Sequence, residues 1–132
     1  MRVAINGFGR IGRLVYRAIL EANRSDIEVV CINDLGPAAT SAHLLKYDSA
    51  HGILPFDVKA TENSIDAGQG PVKITAERDP AKLPWKDLGV DIALECTGIF
   101  TSKAKAQLHL DAGAKRVLIS APADDADLTV VY

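Results

Sequence analysis

The chain has 132 residues, 48% of them hydrophobic, and a formal net charge of −2 at pH 7. This is the size of one globular domain with enough apolar residues to bury a core. The balanced charge argues against a dedicated nucleic-acid binder, which carries a basic excess, and favours a small-molecule partner. No run of about 18 apolar residues occurs, and an apolar run already starts at residue 3, so we expect neither a membrane span nor a signal peptide, and hence a cytoplasmic protein.

The amino-terminal segment combines a strand pattern, a glycine turn and a helix pattern. Residues 3–5 form a short apolar run typical of a strand in a parallel sheet. Gly7, Gly9 and Gly12 follow at the spacing G-x-G-x-x-G. Apolar residues then recur with the periodicity of a helix, and we expect them to face the core: Ile11, Leu14, Val15, Ala18, Ile19 and Ala22.

Each glycine in such a unit has a distinct structural role. Gly7 accommodates a tight turn, Gly9 lets phosphate groups approach the backbone, and Gly12 lets the helix pack closely on the strand. The free N–H groups and the positive end of the helix dipole then face the anion. The pattern therefore predicts a pyrophosphate site.

A second strand pattern ends in an acidic residue. Residues 27–33 are mostly apolar, and Asp34 follows them about 20 residues after the glycines, where an acid accepts hydrogen bonds from an adenosine ribose. The alternative is a glycine turn that joins any strand to any helix. Strand, helix, spacing and acid together favour an α/β domain of the Rossmann type, with a doubly wound parallel sheet that binds a dinucleotide.

The middle of the chain departs from a simple β-α-β order. Residues 38–46 predict a short helix with Thr40 or Ser41 as its cap, and residues 47–52 predict a loop. Residues 53–75 alternate loosely between turn signals, which predicts two or three short antiparallel strands that decorate one edge of the sheet.

The last part of the chain returns to alternating strands and helices. Strands are predicted at 90–96, 115–119 and 128–132, and a helix at 103–112. The turn at 97–100 should lie beside the glycine turn, because the carboxyl ends of neighbouring parallel strands meet at one edge of the sheet.

Other chemistry-bearing residues give weaker signals. Cys31 and Cys96 lie in apolar runs without C-x-x-C spacing, which favours buried thiols over a disulfide or a metal pair, and no metal is expected. Trp85 is predicted to pack under a loop. Arg78 follows a predicted strand, where an ion pair with Asp79 and a ligand contact are equally consistent with the sequence.

In their order along the chain, these motifs resemble the amino-terminal half of the phosphorylating glyceraldehyde-3-phosphate dehydrogenases. The related erythrose-4-phosphate dehydrogenases share most of them, although Asp34, where those enzymes tend to have Glu, favours the triose enzymes. The resemblance covers the whole chain and rests on INGFGRIGR at 5–13, IND at 32–34, YDSAHG at 47–52, ERDP at 77–80, ECTG at 95–98 and SAP at 120–122.

The resemblance implies NAD as the cofactor. Pyrophosphate would lie on the glycine turn and the first helical amides, the adenosine on strand two, and the nicotinamide near the turns after the later strands. Cys96 stands where Ser is commoner in the family, which puts a side-chain contact there in doubt. The implied cofactor-binding residues are Asn6, Gly7, Phe8, Gly9, Arg10, Ile11, Gly12, Asn33, Asp34, Arg78, Thr97, Gly98, Phe100 and Ser120.

The resemblance also implies an activity. Such an enzyme oxidises glyceraldehyde 3-phosphate with inorganic phosphate and NAD to an acyl phosphate, through a cysteine thioester, as a homotetramer in glycolysis and gluconeogenesis. The family's nucleophilic cysteine segment is not among these residues, so 1–132 is expected to be an NAD-binding domain without the catalytic domain and inactive alone. The other readings are an unrelated NAD-dependent dehydrogenase and a non-catalytic nucleotide-binding module.

Overall fold

The computed structural model describes residues 1–22, 26–36, 38–48, 52–53, 58–61, 63–66, 71–77, 79, 82–96 and 103–119. The helices in these ranges are α1 (Arg10–Ala22), α2 (Ala38–Lys46) and α3 (Lys103–Asp111). The strands are β1 (Arg2–Asn6), β2 (Glu28–Asn33), β3 (Tyr47–Asp48), β4 (Gly52–Ile53), β5 (Lys59–Ala60), β6 (Ser64–Asp66), β7 (Pro71–Thr75), β8 (Ile92–Glu95) and β9 (Arg116–Ile119).

Seven of these strands form one sheet in the order β5-β6-β7-β2-β1-β8-β9. The neighbouring pairs β7-β2, β2-β1, β1-β8 and β8-β9 are parallel. Strands β5 and β6 extend the sheet beyond β7 as antiparallel strands at one edge. Chain order reverses at β1, because β2 lies on one side of it and β8 on the other. The sheet confirms the doubly wound Rossmann-type prediction with its antiparallel insertion, and it places the carboxyl ends of β1 and β8 at the position where such sheets bind ligands.

Two apolar clusters cover the opposite faces of the sheet. Neighbouring residues of a strand point to opposite faces, and Ala4 belongs to one cluster while Ile5 belongs to the other. The Ile5 cluster includes Tyr16 and Leu20 of α1. The other cluster is built around Trp85, which was expected to pack under a loop and is instead fully buried in the core. The sheet is therefore a central layer that is packed on both sides.

The buried face of α1 differs from the predicted one. Ile11 is 48% exposed and Ala18 is also exposed, whereas Gly12, Tyr16 and Leu20 are buried. Position 12 decides the orientation, because its close approach to the turn after β1 directs the i+4 and i+8 positions towards the sheet. The spacing of apolar residues alone predicted a neighbouring face of α1 as the buried one.

Two local predictions were also wrong. Helix α2 begins at Ala38, so Thr40 and Ser41 lie inside it and do not cap it. Tyr47–Asp48 is a short strand that pairs antiparallel with Gly52–Ile53, where a loop was expected. The strand predicted at 128–132 lies outside the described residues. No helix within the described ranges is long and apolar enough to cross a membrane.

Candidate cofactor-binding site

The chain leaves β1 through a turn that only glycine adopts easily. Gly7 has φ of 91°, in the left-handed region that side chains disfavour. Its N–H donates to the Asn33 carbonyl at 2.8 Å, and the Cys96 N–H donates to the Asn6 carbonyl at 2.8 Å. The ends of β1, β2 and β8 are thus joined where the glycine turn begins.

Gly12 and Gly9 have opposite surroundings. A Cβ atom at Gly12 would collide with the Gly7 carbonyl oxygen, so this glycine lets α1 pack on the turn. Within the described part of the chain, a Cβ atom at Gly9 would meet no other atom within 4 Å. Open space therefore lies over Gly9, and it adjoins the start of a helix.

Helix α1 begins at this open space. The Arg13 N–H donates to the Gly9 carbonyl at 3.0 Å, which is the first helical hydrogen bond. The amides of Arg10, Ile11 and Gly12 come before any helical acceptor, so they carry the positive end of the helix dipole. The first turn of α1 has no acidic side chain to neutralise that end. This arrangement favours an anion, and above all a phosphate group.

Asp34 lies beside the glycine turn. Its Oδ1 accepts the Phe8 N–H at 3.1 Å and its Oδ2 accepts the Gly36 N–H at 3.3 Å. Its own N–H donates to the Thr75 carbonyl at 2.9 Å, which holds the residue at the end of β7. A carboxylate has about four acceptor positions, so both oxygens retain capacity for ligand hydroxyls.

The remaining residues of the turn differ in what they can offer. The Phe8 ring is buried against Tyr16 with ring centroids 6.1 Å apart, so its side chain belongs to the core. The Phe8 carbonyl accepts Arg13 Nη1 at 3.1 Å. Arg10 and Ile11 are exposed at the helix start. Phe8 therefore has its ring in the core and both of its backbone groups bonded within the site, whereas Arg10 and Ile11 present exposed side chains.

The side chains of Asn6 and Asn33 are buried between strands. Asn33 Nδ2 donates to Asn6 Oδ1 at 2.8 Å and to the Glu77 carbonyl at 2.8 Å. Asn33 Oδ1 accepts the Thr75 hydroxyl at 2.7 Å and the Glu77 N–H at 2.8 Å. These amides therefore bind neighbouring strand ends and fix the floor of the site.

Sequence reasoning missed a buried polar pair beneath this floor. Glu95 is 1% exposed and His109 is 0% exposed, and Glu95 Oε2 lies 2.5 Å from His109 Nε2. Asn6 Nδ2 also donates to Glu95 Oε2, at 2.7 Å. The only available signal was an acidic residue in the otherwise apolar run that ends β8. Its partner lies on α3, and nothing in the local spacing links the two.

Both cysteines are free thiols, as predicted, but only Cys31 is fully buried. Burial raises the pKa of the Cys31 thiol, despite the nearby Thr75 hydroxyl and Lys73. A raised pKa disfavours the reactive thiolate. Among the described residues, no three His, Cys, Asp or Glu side chains are grouped so that they could hold a metal ion. Five of the predicted cofactor residues lie outside the described ranges: Arg78, Thr97, Gly98, Phe100 and Ser120.

A family model described as the glyceraldehyde 3-phosphate dehydrogenase NAD binding domain matches residues 1–103. The chain belongs to this family. NAD is the cofactor of such a domain, and the residues present fit it. The helix start and the space over Gly9 suit a pyrophosphate, and the Asp34 carboxylate beside them suits ribose hydroxyls.

Relatives of this NAD-binding domain family match along the whole chain. A glyceraldehyde-3-phosphate dehydrogenase of Xanthobacter flavus is 69% identical over 132 residues, which is 100% of this chain and 39% of that protein. One from Cereibacter sphaeroides is 64% identical with the same coverage. One from Thermotoga maritima is 62% identical over 130 residues, 98% of this chain and 39% of that protein. The chain thus spans about two fifths of the length of these relatives.

Proposed function

We propose that this chain is the cofactor-holding part of a phosphorylating glyceraldehyde-3-phosphate dehydrogenase. The substrates of the whole enzyme are glyceraldehyde 3-phosphate and inorganic phosphate. NAD⁺ accepts the hydride when the aldehyde is oxidised. The support is the family match together with relatives that are named glyceraldehyde-3-phosphate dehydrogenase. A homotetramer and a cytoplasmic location are part of the proposal.

The observation that carries the proposal is the open space over Gly9 at the amino terminus of α1. The amides of Arg10 and Ile11 are assigned to the pyrophosphate, because they precede the first helical acceptor. Asp34 is assigned to the ribose hydroxyls of the adenosine, because its carboxylate is fixed beside the same turn. Asn6 and Asn33 are assigned a supporting position under the turn, since their side chains are occupied with each other.

The remaining assignments rest on the resemblance alone. Arg78 is assigned to the adenine, and Thr97, Gly98, Phe100 and Ser120 to the path towards the nicotinamide. Cys31 is not assigned as the cysteine that bonds to the substrate, because its thiol is buried and its pKa is raised. In this division of labour, the chain fixes the cofactor in the orientation that hydride transfer requires.

A valine at Gly9 tests the proposal. The added side chain enters open space, so the protein should fold at a cost of about 1 kcal/mol for the poorer helix cap. The same side chain should occupy the volume assigned to the pyrophosphate and weaken NAD⁺ binding at least about tenfold, as measured by calorimetry.

Ala18→Val is the matched control, because it also introduces a valine at an exposed position, inside the helix that begins directly after Gly9. It should bind NAD⁺ like the wild type. A folded Gly9→Val protein with unchanged NAD⁺ affinity would remove the pyrophosphate from this turn.

A further inference from the structure

The buried Glu95–His109 pair makes none of the cofactor contacts proposed above. Both side chains are inaccessible to solvent, and therefore to any bound dinucleotide. Burying an ionisable pair is costly, and apolar residues of similar volume often give equal or greater stability. The pair lies directly below the glycine turn, which points to a role in positioning.

Trp85 fixes the direction of the hydrogen bonds in this pair. The Trp85 indole N–H lies 2.9 Å from His109 Nδ1. An indole nitrogen can only donate, so Nδ1 must accept and carries no hydrogen. The ring proton is therefore on Nε2, from which it is donated to Glu95 Oε2 at 2.5 Å. These two contacts therefore define one tautomer of His109.

The same Glu95 oxygen holds the end of β1. Asn6 Nδ2 donates to Glu95 Oε2 at 2.7 Å, and Asn6 Oδ1 accepts from Asn33 Nδ2 at 2.8 Å. Asn6 is the last residue of β1 and immediately precedes Gly7. A continuous series of hydrogen bonds thus runs from Trp85 through His109 and Glu95 to the residue from which the glycine turn starts.

We propose that Glu95 and His109 are positioning residues for the cofactor: with Trp85 they orient the Asn6 amide and hold the glycine turn in its binding geometry. This inference rests on the proposed function, because it concerns the affinity of that same site. It gives these buried residues an effect on NAD⁺ affinity without contact with NAD⁺. Loss of the His109 donor leaves Asn6 held by a carboxylate that has lost one partner and can shift.

His109→Leu and His109→Gln separate positioning from packing. Leucine fills the space without hydrogen bonds, and we expect NAD⁺ affinity to fall about tenfold in calorimetry. Glutamine supplies one acceptor for the indole and one donor for Glu95, so its affinity should return to within about threefold of the wild type. A role in packing alone predicts no such rescue.

Val90→Ala is the matched control, because Val90 packs in the same apolar cluster as Trp85 and makes no side-chain hydrogen bond. It should lower the thermal midpoint while leaving NAD⁺ affinity unchanged. If His109→Leu does not fold, Trp85→Phe removes the indole donor, together with part of the ring volume, and keeps an aromatic side chain. Its affinity should fall at least about threefold.

The outcomes are distinct. Wild-type affinity in a folded His109→Leu protein, or in Trp85→Phe where the leucine variant does not fold, overturns the positioning role while the proposed function stands. An affinity loss in Val90→Ala that equals the loss in His109→Leu also overturns it, because the effect then follows stability. A wild-type chain that binds no NAD⁺ overturns both proposals.

Discussion

The Asp34 carboxylate accepts a hydrogen bond from the Phe8 N–H at 3.1 Å, so the acid after β2 is tied directly to the glycine turn after β1. This bond joins two features that the sequence separates by more than 20 positions. It means that the group assigned to the ribose and the backbone assigned to the pyrophosphate keep a fixed mutual position.

Replacing Asp34 should therefore change both affinity and selectivity. A hydrogen bond to a charged group contributes about 1.5 to 3 kcal/mol, so Asp34→Ala should weaken NAD⁺ binding about tenfold to a hundredfold. NADP⁺ binding should hold steady or improve, because a carboxylate no longer faces the extra phosphate. Titration of each variant with both cofactors measures the ratio.

Asp34→Asn provides the control for the turn itself. Asparagine keeps an oxygen that can accept the Phe8 N–H but loses the charge. It should relax the preference against NADP⁺ with a smaller loss of stability than Asp34→Ala. An NAD⁺ to NADP⁺ preference that is the same in all three proteins would mean that Asp34 does not contact the ribose.

Gly12 should tolerate no side chain. A Cβ atom there collides with a backbone carbonyl, which cannot rotate away, so Gly12→Ala should lower the free energy of unfolding by about 1 to 3 kcal/mol. Gly9→Ala adds the same methyl group to open space and should change stability much less. Thermal melts of the two variants compare them, and equal midpoints would show that α1 does not pack on the turn as described.

Gly113 and Gly89 should also differ. Both have positive φ, 119° and 63°. A Cβ atom at Gly113 would lie 2.6 Å from the Lys86 backbone nitrogen, whereas at Gly89 its nearest neighbour is the Arg2 side chain at 3.6 Å. Gly89→Ala should cost about 1 to 2 kcal/mol of backbone strain, and Gly113→Ala should cost more. Urea unfolding of both variants tests this order, which the reverse result would contradict.

Asp91 should contribute to stability in a way that depends on pH. The Arg2 backbone N–H donates to Asp91 Oδ2 at 2.9 Å and Lys115 lies 3.2 Å from Oδ1. The Arg2 amide, followed by Lys115, lowers the pKa of Asp91 below its ordinary value of 3.8. A lowered pKa in the folded state means that this contribution is present above the ordinary pKa and is lost as pH falls through the lowered one.

Asp91→Asn isolates this contribution. Asparagine can still accept the Arg2 N–H but does not titrate. The difference in unfolding free energy between wild type and Asp91→Asn should therefore be constant from pH 5 to 7 and shrink below about pH 4. Urea titrations at several pH values measure it. A difference that stays the same down to pH 2 would assign the acid dependence to other carboxylates.

The sequence was sufficient for features that depend on local pattern. The spacing of the glycines and Asp34 predicted a site whose parts the fold brings together. The face of α1 was predicted wrongly from apolar spacing, although the close packing expected at Gly12 already pointed to a face that includes Tyr16, four residues later. The Glu95–His109 contact also escaped prediction, since it joins two elements through tertiary packing.

The two faces of the sheet carry different natural chromophores. Trp85 is the only tryptophan in the chain and lies in one apolar cluster, while Tyr16 lies in the other, where burial and then Asp66 raise its pKa to about 12. Tryptophan emission therefore reports on one face, and the late ionisation of a tyrosine reports on the opposite face. The molecule thus carries two optical probes, one in each apolar cluster. Unfolding followed with both probes shows whether the two clusters unfold in one cooperative transition.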